Sequence, residues 1–186
     1  MNVRFSQEML TILGYARDEA MRTGCYGIGA DHIVLGMLRH RDNNACRALS
    51  AFGVDTAALK SGIDGAVFMD RAVPWMDRDQ VRPTRAAAAL LGVAACEMLR
   101  YGPGEILSSH FLLALVRTGS GAAADLLRRD GLDYDKLYAL MREHRFVLPR
   151  QAREASLPQV SELLGPLGEQ LTRLYGSVRD KTNFYS

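Results

Sequence analysis

His32-Ile33-Val34-Leu35-Gly36-Met37-Leu38-Arg39 and His110-Phe111-Leu112-Leu113-Ala114-Leu115-Val116-Arg117 are the two stretches whose reading decides the fold. Laid over one another, from 32 to 110, they set an offset of 78 residues, and that offset keeps matching on both sides. Leu13-Gly14 falls on Leu91-Gly92, Glu19 on Glu97, Arg22 on Arg100, Gly24 on Gly102, Leu49 on Leu127, Gly53 on Gly131, Asp55 on Asp133 and Leu59 on Leu137. One register held across apolar, glycine and charged positions marks a duplicated structural unit.

Each unit reads as helices. Ser6 precedes Met9, Leu10, Leu13, Ala16, Ala20 and Met21 at helical spacing, and Gly24 stops the run. Asp31 can cap a second helix from His32 to about His40, apolar on nearly all sides and so central to the unit. A third spans about Asn44 to Phe52, stopped by Gly53, and Asp55 opens a fourth to about Phe68. In the second unit Thr84 caps an alanine-rich helix to Tyr101, Gly102-Pro103-Gly104 breaks it, and Ser108 or Ser109 caps His110 to Arg117. Ala122 to Arg129 and Asp133 to about Arg145 complete the set.

With no strand-like alternation, the expectation is an all-α, pseudo-twofold duplicated four-helix repeat of about eight helices. The double repeat domain takes residues 1–148, with repeat one at 4–68, a linker at 69–82 and repeat two at 83–145. Trp75 is expected to anchor the linker to the core. Residues 149–186 form a linker and C-terminal extension. There Gln151 to Pro158 reads as mobile, the stripe Val160, Leu163, Leu164, Leu167, Leu171, Leu174 as a helix interrupted at Gly165-Pro166, and Lys181 to Ser186 as a fraying end.

The chain has 186 residues, 48% of them hydrophobic, enough for a real core. Its 23 basic and 21 acidic residues are interspersed, which argues against nucleic acid or an anionic membrane as a bulk partner. No apolar run approaches a membrane span and the N-terminus lacks a signal-like stretch, so the expected location is cytoplasmic. Cys25, Cys46 and Cys96 lack paired spacing and read as packed thiols, with no metal or other cofactor implied.

Arg4-Phe5-Ser6-Gln7, Gly29 to Arg39 and Arg47-Ala48-Leu49-Ser50-Ala51-Phe52-Gly53-Val54-Asp55 resemble the Clp ATPase N-terminal domain family, whose repeat reads RFT, GTEHLLLGLLRE and ALxxLGVD. The resemblance covers roughly residues 4 to 145. It implies a bundle of eight helices that docks substrates and adaptors on an AAA+ unfoldase serving the ClpP peptidase. No GxxxxGK[ST] stretch occurs, so a nucleotide motor is not expected within these residues. Ser161 to Leu174 resembles the segment that leads into the first ATPase module, which keeps open the reading of an N-terminal fragment of a full-length Clp ATPase. The expected function is a non-catalytic protein-binding module for substrate peptides, adaptor proteins or a Clp ATPase.

In the ClpC branch each repeat resembles a phosphoarginine receptor, and carried over by position the candidates are Phe5, Ser6, Asp31 and Thr84. A helix start favours the phosphate and a carboxylate the guanidinium. Asp31 is a methylene shorter than the family's Glu, and Ser109 stands where the second acid would be. The simpler reading makes Ser6, Asp31, Thr84 and Ser109 N-caps. His32 and His110 occupy matching positions and invite the reading of a hydrolase or transferase using either one, but with no nucleophile or metal ligand at suitable spacing they read as structural, whereas His40 and His144 read as solvent-facing. A peptide groove between the repeats would expose Phe5, Met9, Val81 and Leu90.

Overall fold

Ser6 ends an extended stretch and starts a helix: its hydroxyl accepts from the Met9 N–H at 3.1 Å, and Gly24, at φ 85, supplies the left-handed residue that closes it. The same local logic recurs along the chain. Asn43, Asp55 and Asp133 cap helices through side-chain oxygens, Gly53 closes the helix that Asn43 opens, and Gly119 ends another, both with positive φ. In this computed structural model residues 3–101, 104–146 and 159–176 are described. In order they form β1 (Arg4–Phe5), α1 (Gln7–Thr23), β2 (Gly27–Ile28), α2 (Ala30–His40), α3 (Asn44–Phe52), α4 (Thr56–Val67), a 3-10 turn (Trp75–Gln80) and β3 (Arg82–Pro83). After these come α5 (Arg85–Tyr101), β4 (Glu105–Ile106), α6 (Ser108–Thr118), α7 (Gly121–Arg129), α8 (Tyr134–Glu143) and α9 (Val160–Tyr175).

The architecture is all-α, with one addition that the sequence reading missed. Four two-residue strands pair in parallel, β1 with β4 and β2 with β3. At the 78-residue offset β1 corresponds to β3 and β2 to β4, so each repeat's first strand pairs with the other repeat's second. The third helices cross over in the same way: α3 packs on α6 and α8, and α7 packs on α2 and α4. The apolar core is one continuous cluster that includes Ile12, Leu13, Ile33, Leu91 and Phe111.

Two buried carboxylates sit at equivalent places. Glu19 takes Arg22 at 2.7 Å and Arg39 at 3.4 Å, and Glu97 takes Arg117 at 2.5 Å and the Tyr134 hydroxyl at 2.8 Å. Each ion is paired and hydrogen-bonded, the condition under which burial is tolerated.

Three expectations are corrected. Trp75 does not anchor the linker: it is 74% exposed, with the Arg78 guanidinium 4.8 Å from its ring centroid. Val73 and Val81 are buried instead, and the Met69 and Val73 N–H groups donate to the carbonyls of Thr23 and Met21 at the end of α1. His40 is half-buried beside Tyr15 rather than solvent-facing. Nor does α9 break at Gly165-Pro166; it runs on through Pro166. Gly165, Pro166 and Gly168 together cost about 5 kcal/mol relative to alanine. Buried Leu163, Leu167, Leu171 and Tyr175, at roughly 2 kcal/mol each, outweigh that. The expectations for the break at Gly102-Pro103, for Gln151 to Pro158 and for Lys181 to Ser186 lie outside the described residues.

On the body, α9 packs against α5 and β1. The Gln170 side-chain amide acts as a strand partner for β1, accepting from the Phe5 N–H at 2.9 Å and donating to the Val3 carbonyl at 2.8 Å. The Tyr175 hydroxyl donates to the Leu13 carbonyl at 2.8 Å, and Arg82 donates to the carbonyls of Tyr175 and Gly176 at 2.9 and 2.5 Å. Those carbonyls belong to the helix end that otherwise lacks partners.

Candidate functional site

Phe5 and Ser6 lie at the seam between the repeats. The Ser6 N–H donates to the Ile106 carbonyl at 3.1 Å, and at the equivalent place the Thr84 N–H donates to the Ile28 carbonyl at 3.0 Å. Both hydroxyls face their own helices, Ser6 accepting from Met9 and Thr84 from the Ala87 N–H at 3.1 Å. Phe5 is buried.

Asp31 does not cap α2, whose N-cap is Gly29. Its carboxylate reaches across the seam and accepts from the N–H groups of Ala122 and Ala123 at 3.1 and 2.8 Å, capping α7 of the other repeat. A Cβ at Gly121, φ +86, would stand 2.7 Å from that carboxylate, so the close approach requires glycine. Ser108 and Ser109 do not cap α6 either; Leu107 is its N-cap. The Ser108 hydroxyl accepts from the Ala45 N–H of α3 at 3.2 Å, and the Ser109 hydroxyl donates to the Phe146 carbonyl at 3.1 Å. Glu8 closes the seam by accepting from the Ser108 N–H at 3.1 Å. No described hydrogen bond joins Asp31 to Ser6, or Thr84 to Ser109.

The two histidines cap their own helices from inside. His32 Nδ1 accepts from the Gly29 N–H and His110 Nδ1 from the Leu107 N–H, each at 3.0 Å, the reach-back half of a capping box. The Thr23 hydroxyl donates to a carbonyl of its own helix, so the 3.1 Å contact to His32 Nε2 is a donation from the ring. His110 Nε2 has no partner among the described residues. Burial holds both rings neutral, His32 below its usual range and His110 down to about 4. Cys46 and Cys96 are pushed up by burial, away from thiolate reactivity. Among the described residues no group of three or more His, Cys, Asp or Glu could hold a metal ion.

Phe5, Met9, Val81 and Leu90 do not line an open groove; all four are buried by the interlocking of the halves. The large apolar side chains that do reach solvent include Phe68, Met69, Trp75 and Met76 of the linker region. An open cleft of about 470 Å³ in the first repeat is lined by Leu38, Arg41, Cys46, Ser50, Thr56, Ala57 and Lys60. The cross-seam caps and the Gln170, Tyr175 and Arg82 contacts were missed, because each joins positions far apart in sequence. No described helix is long and apolar enough to cross a membrane.

The family model described as the Clp repeat (R) N-terminal domain matches residues 4–130. The chain belongs to this family. The curated relatives that this Clp N domain matches include the negative regulator of genetic competence ClpC/MecB of Bacillus subtilis, 27% identical over 133 residues, and the chaperone protein ClpB of Oceanobacillus iheyensis, 26% identical over 133 residues. Each alignment takes in 72% of this chain and 16% of the relative, so the chain corresponds to about a sixth of those proteins. Among solved structures the fold is similar to the Hsp104 N-terminal domain of Candida albicans, with a TM-score of 0.61 at 15% identity, covering 76% of this chain and 91% of that one.

Proposed function

We propose that this Clp N domain is a protein-binding module of Clp-type proteolysis or chaperone systems, docking substrate peptides, adaptors or a Clp ATPase and performing no reaction itself. The observation that carries the reading is the family fold over residues 4–130, whose side-chain chemistry goes into holding two halves together. The polar groups of the seam cap helices, and the two histidines at equivalent positions of the repeats act as neutral backbone acceptors. Exposed apolar side chains in the linker region suit contact with another polypeptide. Because the relatives are several times longer, action beside a separate ATPase and action as the leading part of one are both compatible with this reading. The test is binding, by calorimetry, to a permanently unfolded protein such as reduced carboxymethylated α-lactalbumin and to a purified Clp-type ATPase ring. Micromolar affinity for either supports the module, and failure with both overturns it.

Phosphoarginine recognition through Phe5, Ser6, Asp31 and Thr84 is the second reading. Against it, the Ser6 and Thr84 hydroxyls and the Asp31 carboxylate already accept from helix N–H groups. Titration of free phosphoarginine decides this, and binding heat that disappears in Asp31→Ala would restore the receptor.

A further inference from the structure

We infer that the groove made by α1, α5 and the outer edge of β1 is a binding site for an amphipathic helix of a partner polypeptide, with α9 as its tethered competitor. The inference rests on the protein-binding reading and narrows it to one surface.

What α9 presents defines the ligand: leucines at 163, 167 and 171, a tyrosine at 175 on the same stripe, and a flanking glutamine amide at 170. That spacing is the helix-in-groove mode of recognition. The body holds α9 as it would a ligand, through the β1 edge to Gln170, the Leu13 carbonyl to Tyr175 and Arg82 to the last carbonyls. Of its own, α9 has no side-chain N-cap, and it carries Gly165, Pro166 and Gly168 in its interior. Such a segment is helical only while docked, so release melts it and opens the groove in one step.

The family match ends at residue 130, so α1, β1 and α5 lie inside it and α9 lies outside. The internal symmetry also explains why there is one occupant. Across the pseudo-twofold, Pro83 stands where Phe5 stands and has no N–H to give a glutamine clamp. A Cβ at Gly92 would meet Val160 Cγ1 at 2.6 Å, while one at the equivalent Gly14 meets nothing within 4 Å. Val160 thus covers Gly92, and no described neighbouring element covers Gly14. A partner helix must compete with a segment of the same chain, so its affinity is lowered by the fraction of molecules in which the groove is closed.

The test uses the full chain carrying Gly92→Cys and Val160→Cys, with Cys96→Ala to remove the thiol one turn away. A Cβ at Gly92 lies 3.7 Å from Val160 Cβ, within the span of a disulfide. The probe is a fluorescein-labelled peptide of residues 159–176, read by anisotropy. Expected are no probe binding by the oxidised, locked chain, recovery on reduction, and at least tenfold tighter binding by Gln170→Ala than by the wild type. Equal binding in all states, or none even by Gln170→Ala, overturns the site. A concentration-dependent dimer of Gln170→Ala that excludes the probe assigns the groove to a second copy and overturns the partner assignment. Carboxymethylated α-lactalbumin and the Clp-type ATPase ring, run in parallel, separate the two readings. Capture by locked and reduced chains alike leaves the module standing and removes the groove, while a gated probe without capture does the reverse.

Discussion

Repeat one and repeat two share a backbone plan, each leaves one buried side-chain nitrogen without a described partner, Arg17 Nε and His110 Nε2, and they differ in the partners that their equivalent carboxylate and histidine find. Glu19 has reserves: Arg22 also pairs with Asp64 at 2.5 Å, and Arg39 lies 3.8 Å from Asp18. Glu97, whose side chain is 2% exposed, holds Arg117 and Tyr134. His32 finds Thr23 for its second nitrogen, whereas His110 Nε2 lacks a described partner. Repeat one spreads its load over several partners and repeat two concentrates it, so equivalent substitutions should cost more in the second.

The largest expected difference is at the carboxylates. Glu97→Ala should lower stability in urea melts by about 3 kcal/mol, because it removes the buried carboxylate that both the Arg117 guanidinium and the Tyr134 hydroxyl donate to. Glu19→Ala should cost roughly half as much, its arginines turning to Asp64 and Asp18. Equal losses would break the contrast.

Next comes pH. His110 is held neutral in the fold at about 4, while an unfolded histidine protonates near 6.5, so the unfolded chain binds more protons in between. Stability is therefore full above about pH 6.5 and declines as pH falls towards 4, by up to about 3 kcal/mol from this residue. His32, also lowered, acts with the same sign. His110→Gln keeps a side-chain acceptor for the Leu107 N–H and should flatten the pH 4–6.5 decline in chemical denaturation more than His32→Gln does. An unchanged slope in His110→Gln would remove that ring as its source.

The cross-seam caps reverse the ranking. Asp31 accepts two N–H groups and Ser108 one, so Asp31→Ala should cost about 1.5 kcal/mol and Ser108→Ala about 1 kcal/mol. Amide exchange would report the first loss at α7 and the second at α3. The smallest effect belongs to Arg4, the counterpart of Arg82. Its bridge to Glu105 is exposed, so Arg4→Ala should leave stability within about 0.5 kcal/mol and α9 undisturbed. Arg82→Ala should raise amide exchange in α9, since it removes the cap on that helix's last carbonyls.

The legible parts of the fold were those whose signal is local. Ser6, Asp55, Thr84 and Asp133 sit next to the helices they cap, and Gly24 and Gly53 end theirs, so their roles are readable from adjacent residues. Two-residue strands are too short to alternate. Asp31 looks like any first-turn acid, and only folding brings Ala122 to it. The Gly165-Pro166 pair reads as a break because propensity is local and the burial that overrides it is not. Of the candidate receptor, the sequence names Phe5, Ser6, Asp31 and Thr84 but not the N–H groups that the Ser6, Asp31 and Thr84 oxygens already hold.

Because β1 pairs with β4 and β2 with β3, neither half owns a complete set of neighbours. A gene encoding one repeat would yield a chain with two bare strand edges and an unpacked third helix, and two such chains would satisfy one another through a self-complementary twofold contact. Cutting this molecule between its repeats should therefore give fragments that need each other to fold, and a severed linker should leave a working noncovalent pair.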